Sequence, residues 1–280
     1  MGEPWSTEIP TAARLLRAGR AVAMTGAGVS TASGLPDFRS PGGLWAGVDP
    51  MKVASRTAFE RTPEAFYAFY RKRLDTLGRA APNPAHVALA ALERAGRLHG
   101  VITQNVDGLH QAAGSRRVIE LHGNLREALC TGCGAVRPIA AIRDALLAGT
   151  LPRCAICGAI LKPNVVLFED LLPQQAWAVA TLMARTSPVM LVAGSSLQVT
   201  PAAWLPQETL DAGGQLIIVN QEPTPYDRRA AVALHGPAEQ ILPAMAAAAG
   251  SEVEEGSGSS QNVEPPGRPG DPGPMCFDPC

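Results

Sequence analysis

Four cysteines in the middle of the chain have the type and spacing of a metal site. They form two Cys-x-x-Cys pairs, Cys130 with Cys133 and Cys154 with Cys157, separated by residues 134–153. Each pair can hold one face of a tetrahedral ion, and four thiolates leave no open coordination position. The spacing therefore predicts one structural Zn²⁺ in preference to a redox motif or to disulfides. Four ordinary buried cysteines are the alternative.

A glycine-rich loop follows the first strongly apolar run of the chain. The run AVAM (21–24) leads into Thr25-Gly-Ala-Gly-Val-Ser-Thr31. Glycines here would let backbone amides approach a phosphate at the start of a helix. The dinucleotide fingerprint of ordinary dehydrogenases has a third glycine where this chain has Thr31, so hydride transfer fits imperfectly. On this loop alone, a tight turn without a ligand is an equal alternative.

His122 is a candidate general base. It follows the apolar run RVIEL (117–121) and lies in the sequence His122-Gly-Asn124. An imidazole titrates near neutrality and can take a proton from a sugar hydroxyl. A hydrogen-bonded structural histidine is the alternative. The histidines that lack such a setting, and that we interpret as structural, are His86, His99, His110 and His235.

The order and approximate spacing of several motifs resemble those of the sirtuin family. The glycine loop continues into Ser33-Gly-Leu-Pro-Asp-Phe-Arg-Ser40, and it is followed by Thr103-Gln-Asn-Val-Asp107, Glu120-Leu-His-Gly-Asn124, Gly194-Ser-Ser196 and Val219-Asn220. The resemblance spans about residues 10–249 and is to bacterial-type members. It implies an NAD-dependent protein lysine deacylase with one structural zinc ion.

The resemblance also implies a role for individual residues. In sirtuins the acyl oxygen of an acylated lysine attacks the nicotinamide ribose, nicotinamide leaves, and the products are free lysine and O-acyl-ADP-ribose. His122 would be the general base, Asn105 a second catalytic residue, and Asp107 the acceptor for the nicotinamide carboxamide. The positions expected to contact NAD are Gly26, Ala27, Gly28, Thr31, Asp37, Phe38, Arg39, Gln104, Asn105, Val106, Asp107, Gly194, Ser195, Ser196, Asn220, Gln221 and Pro237.

The acylated peptide is expected to bind as an extra strand between two domains. Its backbone would pair with residues 165–168 and 199–201. The expected contacts are Val165, Val166 and Phe168. The chain departs from the family after Phe168, where Glu169-Asp170 replaces the usual Gly-Glu-like pair. The loop conformation and any charge preference in the peptide stay open.

Tyr70 and Arg73 bear on which acyl group is removed. They are three residues apart on a predicted helix (63–77) and so share a face. The pair resembles the one that desuccinylase-class sirtuins use, where a guanidinium binds a carboxylate and a phenol adds a hydrogen bond. Alternatively, Arg71, Lys72 and Arg73 form a solvated basic face. The first interpretation predicts activity on succinyl- or malonyl-lysine as well as acetyl-lysine.

Two other functions compete with deacylation. Mono-ADP-ribosyl transfer to a protein would use the same NAD site. A non-catalytic NAD-binding zinc module is the second alternative, but such a module need not keep His122, Asn105 and Asp107 together. We therefore expect a deacylase.

These residues need an α/β scaffold to position them. Apolar runs at AVAM, VIT, RVIEL, NVVLF, VMLVA and QLIIV alternate with helical patterns, which favours a Rossmann-like parallel sheet with helices on both faces. Most runs end in polar or small residues, and ligands bind beyond the carboxyl ends of such strands. The motifs are therefore expected to converge on one crevice.

Insertions into this sheet are expected to form a smaller domain. We predict a catalytic domain over residues 1–250, with a large domain of about 8–40, 86–128 and 162–249. The small domain would combine a helical insertion, 41–85, with a zinc module, 129–161. Residues 251–280 are rich in Gly, Pro and Ser and predict a disordered tail that carries Cys276 and Cys280.

Composition limits the classes of partner. A net charge of −1 gives no electrostatic reason to expect direct binding to nucleic acid or membrane. No apolar stretch has the length of a bilayer span and no signal peptide is evident, so a cytoplasmic protein is expected. The expected partners are acylated lysines of proteins or peptides, and the sequence predicts no oligomeric state.

Overall fold

The computed structural model describes residues 3, 5–38 and 40–250. The predicted NAD contact Arg39 and the predicted tail, 251–280, lie outside the described residues. The strands are β1 (Ala21–Thr25), β2 (Leu98–Thr103), β3 (Val118–Glu120), β4 (Gly123–Cys130), β5 (Val136–Pro138), β6 (Leu161–Val165), β7 (Val189–Ala193), β8 (Gln215–Asn220) and β9 (Val232–His235). The helices are α1 (Ile9–Arg17), α2 (Pro50–Val53), α3 (Arg56–Arg61), α4 (Pro63–Leu77), α5 (Pro84–Arg94), α6 (Leu109–Ala112), α7 (Ala140–Leu147), α8 (Gln174–Thr186), α9 (Leu205–Asp211) and α10 (Ala238–Ala248).

Six strands form a parallel sheet in the order β3-β2-β1-β7-β8-β9. All residues of β1 and β7 are buried, because helices cover both faces of the sheet. The side chains of β1 alternate between the faces: Ala23 packs with α1, α5 and α10, and Met24 packs with α8 and α9. The predicted α/β class is confirmed.

A second, antiparallel sheet has the order β5-β4-β6. It corrects the interpretation of the run NVVLF (164–168) as part of the parallel sheet, because Val165 ends β6 and pairs with Gly123 of β4. Alternate residues of β6 are buried, as expected for a strand with only one face against a core. The cysteine-bearing segment thus contains strand structure that its sequence pattern does not predict. The same is true of strand β9.

One core cluster lies on each face of the parallel sheet. A third core cluster joins α3 and α4 to the segment that carries the four central cysteines. Phe66, Tyr67 and Tyr70 of α4 pack in one cluster with Cys130 and Cys154. Their rings also contact one another, with Phe66 stacked on Tyr70 at a centroid distance of 4.4 Å. In the described part of the chain, no helix has the length and apolar character needed to cross a membrane.

Candidate active site

The carboxyl ends of the parallel strands and the third core cluster enclose a cleft of about 1320 Å³. Every predicted NAD-contact residue that the structure describes lines it, as do His122 and the substrate-site residues Tyr70, Arg73, Val165, Val166 and Phe168. The motifs that follow the strands therefore meet in one cleft, as the sequence predicts. Arg39 lies outside the described residues.

The glycine loop after β1 packs against the end of β7. The Gly28 N–H donates to the Gly194 carbonyl at 2.9 Å. Gly194 has φ +57°, and a Cβ there would lie 2.3 Å from the backbone nitrogen of Val29, so no larger residue fits without displacing the loop. Residues 27–33 of the loop form a 3-10 helix, in which Thr31 is exposed toward the cleft.

His122 has a defined tautomer. Its Nδ1 lies 3.0 Å from the Gln104 carbonyl oxygen, which can only accept, so Nδ1 carries the proton. The lone pair on Nε2 is left as the basic site in the cleft. Burial lowers the pKa of His122, and the hydrogen bond to Gln104 opposes that shift only in part. The imidazole is therefore neutral at physiological pH and able to accept a proton.

Asn105 and Asp107 are held by the loop that they face. The Asn105 amide donates to the Gly26 carbonyl at 3.0 Å and to Ser30 Oγ at 3.1 Å. Ser30 Oγ in turn donates to the Asp107 carboxylate at 2.8 Å. Both of these bonds are made by the side-chain nitrogen of Asn105. Its side-chain oxygen is therefore available to accept a hydrogen bond from a ligand. Gln104 Nε2 similarly donates to Ser195 Oγ at 2.9 Å, joining the ends of β2 and β7.

A buried histidine lies beneath this network. His86 Nδ1 accepts from the Asn83 N–H at 3.3 Å, so Nε2 carries the proton that faces Ser30 Oγ at 3.4 Å. Asn83 Nδ2 also donates to the Val29 carbonyl at 2.8 Å, which fixes α5 to the glycine loop. Burial lowers the pKa of His86 to about 4, although nearby Asp107 opposes the shift.

His110 packs beside His86, with ring centroids 4.9 Å apart. Its Nε2 lies 2.8 Å from Thr25 Oγ1. Burial, and to a smaller extent the neighbouring His86, lowers the pKa of His110 to about 3. Both histidines are therefore neutral parts of the support beneath the cleft, which agrees with their interpretation as structural residues.

Tyr70 and Arg73 of α4 both face the cleft, whereas Arg71 is exposed on the same helix. Burial raises the pKa of Tyr70 and lowers that of Arg73. The Arg73 guanidinium lies over the Phe38 ring at 5.3 Å. Within the part of the chain that the structure describes, no carboxylate forms an ion pair with Arg73. Arg73 is therefore less exposed than Arg71, and both interpretations of this helix face stay predictions.

The four central cysteines come together at one point. Their Sγ atoms all lie within 4.8 Å of one another, which confirms the predicted cluster. Cys133 Sγ and Cys154 Sγ are 3.8 Å apart, close to the separation of about 3.8 Å that Zn–S bonds of about 2.3 Å give in a tetrahedron. Backbone N–H donors lower the pKa of Cys130 and of Cys154, which favours their thiolate forms. The donor set fits a structural Zn²⁺ with no open position.

Two further residues contribute to the cleft in ways that the motifs of the sequence do not predict. Ser30 links Asn105 to Asp107, and its position inside the glycine loop was the available signal. Trp45 stacks on Phe38 at 5.4 Å and on Phe69 at 5.8 Å, and lies 6.0 Å from Phe168. It forms an aromatic wall between the predicted NAD and peptide positions, which depends on contacts that local spacing does not reveal.

Comparisons with known proteins agree with this geometry. The model of the Sir2 family matches residues 26–201. The NAD-dependent protein deacetylase of Caldivirga maquilingensis is 49% identical over 223 residues, which cover 79% of this chain and 86% of the relative. The NAD-dependent protein deacylase 2 of Archaeoglobus fulgidus is 46% identical over 238 residues, which cover 84% of this chain and 94% of the relative.

Solved structures are similar over most of the chain. One of a Sir2 protein with a deacetylated p53 peptide and 3'-O-acetyl ADP-ribose has a TM-score of 0.82 at 39% identity, and covers 86% of this chain and 98% of that one. Another, of a Sir2 protein with a p53 peptide and NAD⁺, has a TM-score of 0.77 at 40% identity, and covers 82% of this chain and 93% of that one.

Proposed function

This chain belongs to the Sir2 family, and we propose that it is an NAD-dependent enzyme that removes acyl groups from the lysine side chains of proteins. The observation that carries the proposal is the tautomer of His122, whose Nδ1 proton is bound to Gln104 while Nε2 is free in the cleft. A non-catalytic module would not require a neutral base at this position. The reaction consumes one water, and the products are free lysine, nicotinamide and O-acyl-ADP-ribose.

Different residues of the cleft have different roles in the proposed reaction. Bound NAD would supply the ribose carbon that receives the acyl oxygen, with nicotinamide as the leaving group. His122 Nε2 accepts the proton of a ribose hydroxyl, which makes that oxygen nucleophilic toward the acyl carbon. Asp107 accepts from the nicotinamide amide, because a buried amide without a partner would be unfavourable. Asn105 presents its side-chain oxygen on the ribose side, held in place by Gly26 and Ser30.

The other predicted NAD contacts lie along the rest of the cleft. Gly26, Ala27, Gly28 and Thr31 offer backbone and hydroxyl groups for the pyrophosphate. Ser195, Ser196, Asn220 and Gln221 lie at the ends of β7 and β8, where we place the phosphate and the adenine-side ribose. Pro237 lies at the adenine end. The structural Zn²⁺ does not take part in the reaction.

We also propose that the enzyme accepts acyl chains that end in a carboxylate. Arg73 is a partly buried cation without an ion-pair partner in the described residues, and Tyr70 lies on the same face of α4. A buried charge without a partner is unfavourable, and a ligand carboxylate would remove that penalty through two parallel hydrogen bonds. Succinyl- and malonyl-lysine carry such a group.

The test is an assay with NAD and matched acetyl-, malonyl- and succinyl-lysine peptides, following peptide mass and nicotinamide release. Deacylation that requires NAD and disappears in His122→Tyr would support the proposed reaction. Nicotinamide release without deacylation would instead indicate ADP-ribosyl transfer or NAD hydrolysis. No release with any peptide would favour a non-catalytic module.

The acidic-acyl proposal is tested with Arg73→Met and Tyr70→Phe. Loss of one charged hydrogen-bonded contact should lower kcat/KM for the succinyl peptide by roughly tenfold or more in Arg73→Met. The acetyl peptide should be much less affected, because it has no carboxylate to bind. Arg71→Met on the exposed face is the matched control. Equal succinyl turnover in Arg73→Met, Tyr70→Phe and the parent would disprove this specificity.

A further inference from the structure

Glu169 has an unusual backbone conformation in the loop after β6. Its φ of +73° lies in the left-handed region, which glycine adopts freely and a glutamate adopts at a free-energy cost. Because the conformation is unfavourable for glutamate, contacts made by the surrounding loop must hold it.

The first set of contacts joins the loop to the segment that precedes α3. The Phe168 N–H donates to the Ala54 carbonyl at 3.1 Å, and the Arg56 N–H donates to the Phe168 carbonyl at 3.0 Å. Glu169 extends this pairing, since its carboxylate accepts from the Thr57 N–H at 2.8 Å. The pKa of Glu169 is lowered, chiefly by this bond, so the carboxylate is ionised at neutral pH.

Asp170 supplies the second set of contacts. Its Oδ1 accepts from Arg56 Nε at 2.8 Å, and its Oδ2 accepts from the Leu167 N–H at 3.0 Å. Lys162 Nζ lies 3.3 Å from Oδ2 and donates to the Val165 carbonyl at 2.6 Å. The Asp170 side chain is only 11% exposed, so these charges are partly shielded from solvent.

These contacts act on the segment 165–168, where an acylated peptide is expected to pair. They use the Val165 carbonyl, the Leu167 N–H and both backbone groups of Phe168, and none of them uses the Val166 carbonyl. The Val166 N–H donates to the His122 carbonyl at 2.9 Å. We propose that Glu169 and Asp170 are positioning residues that hold residues 165–168 extended before the peptide arrives. The proposal rests on the proposed function, because it takes this segment to be the peptide-binding edge.

The consequence is a selective effect on peptide binding. A segment that is already ordered loses less conformational entropy when a peptide binds, so the peptide binds more tightly. The predicted NAD contacts lie in other parts of the cleft, and neither carboxylate contacts the His122 side chain. Loss of the Glu169 contact should therefore raise the KM for the peptide and leave kcat and the KM for NAD nearly unchanged.

The experiment compares the full-length parent with Glu169→Gly and Glu169→Gln. Glu169→Gly removes the carboxylate and adds backbone freedom, so we expect the peptide KM, and the Kd of a labelled acyl-lysine peptide by fluorescence anisotropy, to rise by about fivefold. Glu169→Gln keeps an oxygen that can accept from the Thr57 N–H, and it should recover most of the affinity. Glu60→Gln, an exposed carboxylate on α3, is the matched control.

Several outcomes would overturn the inference. An unchanged peptide KM and Kd in Glu169→Gly would do so, as would a fall in kcat with the peptide KM constant. Glu169→Ala, which keeps a Cβ, serves as a second variant if Glu169→Gly has a lowered melting temperature. The anisotropy measurement needs no turnover, so it separates the two ideas: a parent that binds the peptide but does not deacylate it contradicts the proposed function alone.

Discussion

At the scale of single residues, one hydrogen bond determines which nitrogen of His122 can act as a base. The Gln104 carbonyl fixes the proton on Nδ1, and this partner is a backbone atom at the end of β2. A side-chain substitution therefore cannot remove the tautomer preference directly. The pKa of His122 is the measurable consequence of this environment.

We expect the acid limb of the pH profile to report His122. Burial lowers its pKa below the ordinary value of 6.5, so the neutral base persists as the pH falls and activity is lost only below that value. The profile of kcat/KM for an acetyl peptide should therefore show an acid limb with an apparent pKa under 6.5. His122→Asn should lose roughly 10²–10⁴-fold in kcat/KM and the acid limb with it.

An acid limb above 6.5 would contradict this assignment. Because acid also affects the stability of the protein, each point needs a circular dichroism spectrum that shows the native fold. The control is the same profile measured for the exposed-face variant Arg71→Met.

Residue-level chemistry was predictable where it depends on neighbours in sequence. Each Cys-x-x-Cys pair, and the position of His122 after a strand, can be recognised from a few neighbouring residues. The link from Ser30 to His86 does not, because it joins residues 56 positions apart through packing of α5 on the glycine loop. The contacts of Glu169 were also hidden, since its partner Thr57 lies 112 positions away.

At the scale of elements, the central strands were predictable and the small sheet was not. Strands β1, β7 and β8 are buried on both faces, and they appear in the sequence as continuous apolar runs. The apolar run NVVLF (164–168) overlaps only the last two residues of β6, and β6 pairs with the antiparallel strand β4. An apolar run does not specify the partner strand, which explains why NVVLF was assigned to the wrong sheet.

The packing of α5 against α6 buries two histidines, and this burial should make the free energy of unfolding depend on pH. His86 and His110 have pKa values of about 4 and about 3 in the folded protein, below the ordinary 6.5. The unfolded chain therefore binds more protons between pH 6.5 and 4, and the free energy of unfolding falls as the pH is lowered through this range. At pH 5 the loss should be about 2 kcal/mol for each histidine relative to pH 7.5 or above.

Urea unfolding at pH 5 and 7.5 measures this effect. His110→Gln removes one of the three histidines whose pKa is lowered by burial and keeps a polar side chain near Thr25, so the difference between the two pH values should shrink by about 2 kcal/mol. His99→Gln, a histidine at the other end of β2, is the control and should keep the parent difference. An unchanged difference in His110→Gln would show that other groups govern the acid response.

At the scale of the whole molecule, the cleft has two walls with different sources of stability. The parallel sheet and its two helical layers form one wall. Apolar residues on both faces of this sheet form its core, and each of them is at most 9% exposed. The other wall is the third cluster, in which α4 packs with Cys130 and Cys154. The predicted domain boundaries stay predictions, but the two walls bury separate sets of residues.

Loss of zinc should therefore act on the acyl side of the cleft first. The same cluster that contains Cys130 and Cys154 positions Tyr70, so the ion supports the acyl pocket through packing rather than through contact with the substrate. We expect Cys130→Ser, or treatment with a chelator, to lower the melting temperature by about 5–10 °C or more and to weaken binding of an acyl peptide. Far-UV circular dichroism should retain most of its signal at moderate temperature, because the parallel sheet has its own core. Metal analysis of the parent should find one zinc per chain. The control is Cys280→Ser, a cysteine that belongs to neither Cys-x-x-Cys pair of the sequence. A zinc-free protein with the parent's melting temperature and peptide affinity would show that the cysteine cluster does not support the cleft.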